Sequence, residues 1–383
     1  MDTVHIVAAK RSPIGRFGGG LKEVSAAELA TQVAAAVLPG AARALVGEVI
    51  LGQVIQAGSG MNVARQVALR LGLPHSVPAY TVNMACGSSL KAVALGAASL
   101  RHRDSSVVLA GGVENMSAAP HLLPHLRWGL KLGDAAALDS IQTDGLTDPF
   151  LKIGMGETAE RIVDLMRISR VDQDAFAAES QARVALHGGA FAREIVAVEN
   201  RRGRLEKDEH PRPDSTPEAL AKLAPVFRPE GTVTAGNASG LNDGAAMLLL
   251  ARGDALEPLG LESRARVAGW CATGCDPATM GLGPVGAIRG LLEKTGWSQS
   301  SVDAFEINEA FAAQTLGCIR QLGLPGDRVN IRGGAIALGH PIGASGARVL
   351  VTLLHVLEDA GLRRGVASLC IGGGMGIAVA VER

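Results

Sequence analysis

Apolar and polar positions follow two rhythms along the first third of the chain. Short apolar runs predict strands at residues 4–9, 48–55, 79–82 and 106–110, the last closing on Gly111-Gly112. Between them, apolar positions three and four apart predict helices over 26–36, over 62–71, and after Cys86, where Leu90, Val93, Ala94 and Ala97 share a face. From 121 to 142 the rhythm breaks into an excursion with His121, Pro124, His125 and Trp128. A helix over 158–166 follows. Another is opened by Ser169-Arg170-Val171-Asp172, which resembles a capping box, and stops at Gly188-Gly189. Residues 201–217, charged and proline-rich, read as a surface loop. Strands return at 245–250, 266–271, 304–307 and 366–370, with helices at 284–295, 310–322 and 347–358. Strands alternating with helices predict a sheet covered by helices.

Two pieces share one plan. Asn83, Cys86, a helix and a strand running into Gly111-Gly112 match Asn330, His340, a helix and a strand running into Gly372-Gly373. This suggests an internal duplication whose halves face each other, with Cys86 and His340 meeting at the join. The expected partition is a first half over 1–120, an inserted loop domain over 121–237 and a second half over 238–383.

Composition narrows the class. An apolar share of 47% with 49 glycines and few aromatics suits a closely packed α/β enzyme rather than a fibrous or disordered chain. Lys plus Arg equals Asp plus Glu at 37 each, so nucleic acid is not an expected partner. The first apolar run is too short for a signal peptide, and none approaches the ~20 residues of a membrane helix. Five cysteines are an odd set, expected to be reduced thiols in a cytoplasmic setting. Cys271 and Cys275 lack a second Cys/His pair for zinc, so no metal site is expected.

The chemistry-bearing candidates each have an ordinary reading. Cys86, at a strand-to-helix turn, faces the positive end of a helix, a field that favours thiolate; the ordinary reading is a small buried hydrophobe, which is what most free cysteines are. His340 could be a base or a loop histidine. Cys370, ending an apolar strand, reads alone as core. Asn308-Glu309 could cap a helix. Gly372, Gly374 and Gly376 are too close together for a dinucleotide fingerprint.

Taken together, Cys86 in its turn, Asn308-Glu309-Ala310-Phe311, Gly339-His340-Pro341 and Cys370-Ile371-Gly372-Gly373-Gly374-Met375-Gly376 resemble the thiolase family. Gly111-Gly112-Val113-Glu114-Asn115-Met116-Ser117 and Thr234-Ala235-Gly236-Asn237-Ala238-Ser239-Gly240 extend the resemblance over nearly the whole chain. It implies a five-layer α/β/α/β/α fold of two duplicated halves with an inserted loop domain. It also implies reversible CoA-dependent cleavage or Claisen condensation of 3-oxoacyl-CoA, with acetoacetyl-CoA as the leading substrate and acyl-Cys86 as a ping-pong intermediate. Cys86 is then the nucleophile, His340 its base and Cys370 the group that handles the α-proton. His340 with an Asn308-held water would form one oxyanion hole, and the N–H groups of Cys86 and Gly372 the other.

The same resemblance places Arg212 by adenine, Ser239 by pantetheine, and Met155 and Met280 along the acyl pocket. Arg201-Arg202-Gly203-Arg204 with Lys207 reads either as a neighbour of the CoA phosphates or as an ordinary solvated charge run. CoA thioesters are substrates and no other cofactor is implied; the partners are acyl-CoA and CoA. A homo-oligomer, a dimer or dimer of dimers, is expected, with 124–138 a candidate tetramer loop. Short-chain acetyltransferases commonly carry His where this chain has Gly154, which leaves room for a longer-chain degradative 3-ketoacyl-CoA thiolase. A lipid carrier would be expected to lack Cys86 or His340, a decarboxylating synthase to lack Cys370. A subunit of a β-oxidation complex is a further alternative.

Overall fold

The computed structural model describes residues 3–38, 40–201 and 203–383. A ten-stranded sheet runs in space from Ala79–Val82 through Val46–Gly52, Val107–Asn115, Asn242–Arg252 and Val4–Arg11. It continues through Ala265–Gly274, Met375–Glu382 and Arg364–Ile371 to Ala304–Ile307, with Gly15–Arg16 pairing off this path. Within the sheet the two halves are paired at His5–Arg266 and Ile6–Ala265.

Each half repeats one plan. Counted in chain order within the half, the second strand lies parallel to the fourth. The fifth runs antiparallel between the fourth and the first. The third is Ala79–Val82 in the first half; in the second it shrinks to a bridge between Phe305 and Val329. Asn242–Arg252, which follows the 121–237 stretch, completes the first half-sheet.

Helices supply the other layers. Ala26–Val37 and Val63–Arg70 pack on the outer face of the first half-sheet, Gly283–Thr295 and Ala312–Leu322 on that of the second. Ser88–His102 and Ser345–Asp359 share the middle layer. Every residue from Ser345 to Leu357 is buried, as an apolar helix between two sheets must be. The first turns of these helices touch: Ala347 N–H donates to Ser89 Oγ at 2.9 Å, and a Cβ on Gly346 would stand 2.5 Å from Leu90 N. That contact brings together the loops that precede the two helices, which carry Cys86 and His340.

The structure departs from the sequence pattern in several places. The strand expected to close on Gly111-Gly112 runs on to Asn115. A Cβ on Gly112 would overlap the Gly343 carbonyl, so this glycine permits a close approach and does not end the strand. The strand expected over 48–55 stops at Gly52, because Val54 and Ile55 turn their N–H groups to Glu114 at 3.0 and 3.2 Å. Met375–Glu382 was hidden behind the glycine run; Gly373 and Gly374, both at positive φ, fold it back on Arg364–Ile371. Residues 201–217 are more than a surface loop. Asp208 pairs with fully buried Arg11 at 2.7 Å, Glu209 caps the N–H groups of Arg16 and Gly20, and residues 203–205 pair with 198–200. Of the basic run there, Arg202 lies outside the described residues. The excursion holds a short pair, His121–Leu122 with Leu138–Asp139, and leaves Trp128 and Leu132 85% and 97% exposed.

Candidate active site

The nucleophile candidate sits on a tightly held elbow. Ala85 has φ 42°, a left-handed conformation that costs a non-glycine residue of order 1 kcal/mol. Three hydrogen bonds hold it: Asn83 Oδ1 accepts from Ala85 N–H at 3.0 Å, and Ser88 Oγ accepts from Met84 N–H at 2.9 Å and donates to Ala85 O at 2.6 Å. Gly87 is needed for space, since a Cβ would stand 2.5 Å from Ile371 Cδ1. The elbow is thus pressed against the strand end that carries Cys370, and the Gly372 N–H donates to the Cys86 sulfur.

The helix field works differently from the sequence expectation. The N–H groups of Gly87 and Ser88, which would have faced the sulfur, are taken by the carbonyls of Met84 and Ala85. Burial then dominates, and the Cys86 thiol is pushed up to about 11 against the pull of the Gly372 and Cys86 N–H donors. At rest Cys86 is a thiol that needs a base. Cys370, 1% exposed, is held well above the ordinary thiol range by burial and then by the neighbouring Cys86.

That base candidate lies in loop 339–345. Ser345 Oγ donates to Pro341 O at 2.8 Å, so its single proton is spent. At 2.6 Å from His340 Nδ1 it must accept, which places the imidazole proton on Nδ1 and the lone pair on Nε2. Asn308 Nδ2, 3.5 Å from Nε2, fits the same tautomer. Burial, with a smaller contribution from Arg348, lowers His340 to about 3, so the ring is neutral across the physiological range. Asn308 Oδ1 is buried and meets no donor among the described residues; such an atom costs about 1–3 kcal/mol unless something else supplies one.

Other anchors carried no sequence signal strong enough to single them out. Glu114, fully buried and pushed to about 8 by burial, accepts from Val54, Ile55 and Gly343 N–H and so ties the His340 loop to the Cys86 half. Ile342, from that loop, packs in one apolar cluster with Cys86. Glu309 holds Ser180, Asn330 and Ile336 N–H. A carboxylate inside an apolar strand, and a serine five residues after a histidine at a helix start, were the available hints.

Met155, Met280, Phe311 and Ala310 cluster with Cys370, and Met155 Sδ would stand 3.2 Å from a Cβ on Gly372. Ser239 lies beside this cluster, its Oγ and N–H both donating to Ala310 O at 3.0 Å. Cys86, His340, Asn308, Cys370, Gly372, Met155, Met280 and Ser239 therefore occupy one region. Arg212 stands apart, exposed on a groove of about 430 Å³ that His210, Ser215, Leu220 and Gly236 also line. No cluster of metal-ligating side chains occurs among the described residues, and no helix there is long and apolar enough to cross a membrane.

Known proteins resemble this chain over nearly its whole length. Residues 4–254 match the family described as "Thiolase, N-terminal domain", and residues 261–383 match "Thiolase, C-terminal domain". An acetyl-CoA acetyltransferase of Chromobacterium violaceum is 50% identical over 99% of both chains. A cytosolic acetyl-CoA acetyltransferase of Rattus norvegicus is also 50% identical, over 100% of this chain and 98% of its own. Among solved structures, human mitochondrial 3-ketoacyl-CoA thiolase in complex with CoA superposes with a TM-score of 0.97 at 42% identity, covering 100% of this chain and 98% of its own.

Proposed function

The chain belongs to the thiolase family, and we propose that it catalyses reversible, CoA-dependent cleavage and formation of 3-oxoacyl-CoA through an acyl-Cys86 intermediate. The observation that carries this reading is the His340 tautomer: its lone pair lies on Nε2, on a loop whose Ile342 packs with Cys86, a thiol that needs deprotonation. In the cleavage direction Nε2 takes the Cys86 proton and the thiolate adds to the 3-oxo carbon. The Cys86 and Gly372 N–H groups donate to the sulfur at rest, which supports a role for them in receiving the oxyanion.

The C2–C3 bond then breaks. The enolate is held by His340 and an Asn308-bound water and takes its proton from the Cys370 thiol, so acetyl-CoA departs. Incoming CoA gives its thiol proton to the Cys370 thiolate and attacks acyl-Cys86; Cys86 leaves and recovers its proton from His340. Cys86 regains the proton it lent to His340, and Cys370 gives its proton to acetyl-CoA and receives one from CoA, so both thiols are restored, as a reversible two-stage transfer requires. CoA-dependent loss of acetoacetyl-CoA, abolished in Cys86→Ala and His340→Ala, tests the reading. Retention of turnover in either variant rejects it.

Two-carbon units, hence acetoacetyl-CoA, are supported by the acetyl-CoA acetyltransferase relatives. A longer-chain degradative preference is supported by Gly154, where a Cβ would meet nothing nearer than Leu146 O at 4.0 Å. Arg212 is proposed to hold the adenine end of CoA and Ser239 its pantetheine. The exposed Trp128 and Leu132 favour a homo-oligomer, a dimer or dimer of dimers, and the cytosolic relative favours a cytoplasmic setting.

A further inference from the structure

Asn242 joins two parts of the molecule that the proposed mechanism treats separately. It is fully buried; its Oδ1 accepts from His340 N–H at 2.9 Å and its Nδ2 donates to Gly15 O at 3.0 Å. The same Nδ2 lies 3.3 Å from Nδ1 of His210. With both Nδ2 protons directed to acceptors, the amide has one orientation, and Oδ1 must face the catalytic loop. The stack has been given room on both sides. Gly339 has φ 103° and a Cβ there would overlap the Asn242 amide; a Cβ on Gly240 would overlap the His210 ring. His210 in turn lines the groove that holds Arg212, with Nδ1 committed to Asn242 and Nε2–H left as a donor. Burial and the neighbouring Arg212 lower His210 to about 4, which keeps Nδ1 unprotonated and able to accept.

We propose that His210 and Asn242 form a positioning link, through which the remote, phosphate-bearing end of the CoA carrier, once seated in the Arg212 groove, fixes the backbone of His340. The inference rests on the groove being the carrier site. It assigns neither residue a chemical step. Remote binding energy would then appear in kcat, as expected when it is used to orient a reacting group.

The experiment uses a carrier too short to reach the groove. With acetoacetyl-N-acetylcysteamine as substrate and N-acetylcysteamine as thiol, adenosine 3′,5′-bisphosphate is added as the missing end of the carrier. In the wild-type protein it is expected to raise kcat by at least about threefold, the size of a weak coupling between sites. In His210→Phe the rise is expected to vanish, read as the ratio of kcat with and without the bisphosphate in each protein. His210→Asn, whose Oδ1 can replace the Nδ1 acceptor, is expected to restore the rise. A wild-type kcat indifferent to the bisphosphate overturns the proposal without any variant, and so does an equal rise in His210→Phe. An Arg212→Ala variant separates the two levels: if it raises KM for CoA thioesters while His210→Phe keeps the rise, the groove reading stands and the link alone fails.

Discussion

Replacing Ser345 with alanine removes the group that sets the His340 tautomer. The 2.6 Å contact to Nδ1 is buried, and nothing else among the described residues is placed to accept from that nitrogen. The unmet donor costs about 1–3 kcal/mol, whether borne as lost orientation or as a switch to the tautomer with its proton on Nε2. In the switched form Nε2 would meet the Asn308 Nδ2 donor with a proton of its own and could not take the proton that the proposed reaction draws from Cys86. At about 1.4 kcal/mol per factor of ten, the expected fall in kcat/KM for CoA-dependent cleavage of acetoacetyl-CoA is about 5- to 150-fold. Because Cys86 alone is unchanged, its alkylation by iodoacetamide at pH 10 is expected to match wild type. Thermal unfolding reports any loss of fold. A kcat/KM within twofold of wild type in a folded Ser345→Ala protein would refute the tautomer argument.

Other outcomes follow from the same geometry. With Cys86 near 11 and His340 near 3, alkylation of Cys86 is expected to climb steadily from pH 7 to 9; a plateau below pH 8 would mean a preformed thiolate–imidazolium pair. Glu306 is buried, its Oε2 meets no partner among the described residues, and burial raises it to about 8. The folded form therefore holds a proton that the unfolded chain releases above about 4.5, so this stability is present at low pH and is lost as pH rises toward 8. Glu306→Gln, which keeps the neutral shape, is expected to flatten the fall in Tm between pH 6.5 and 8; an unchanged slope counts against it. Gly154 has ordinary φ/ψ and open space, so Gly154→His should leave Tm within a few degrees. It is expected to shift kcat/KM toward acetoacetyl-CoA relative to longer 3-oxoacyl-CoA, and an unchanged ratio of the two rates would show that this position does not set chain length.

Strands such as Ala79–Val82 and Ala304–Ile307 were legible to the residue because turn residues bound short apolar runs. The repeated Asn–reactive residue–helix–strand order also pointed to the observed symmetry of the half-sheets. Gly111-Gly112 misled, because a glycine needed for close approach looks the same in sequence as one that ends a strand. Residues 201–217 misled for a related reason: charge density implies solvent, yet Asp208 has its partner in buried Arg11, nearly two hundred residues earlier. The reactive side chains were readable as motifs, but their protonation states were not. The amides that were to polarise Cys86 are occupied within its own turn, and the His340 tautomer depends on whether Ser345 has already spent its proton. Neither can be read from residue identity.

The central claim is that the Cys86 sulfur carries the acyl group between two thioesters. Incubating the protein with acetyl-CoA, quenching in acid and sequencing the digested peptides by mass spectrometry tests it directly. The account predicts an acetyl group on the peptide sulfur of Cys86, discharged when CoA is added and absent in His340→Ala under the same brief exposure. An unmodified Cys86 in protein that turns over, or an acetyl group on Cys370 instead, would contradict it.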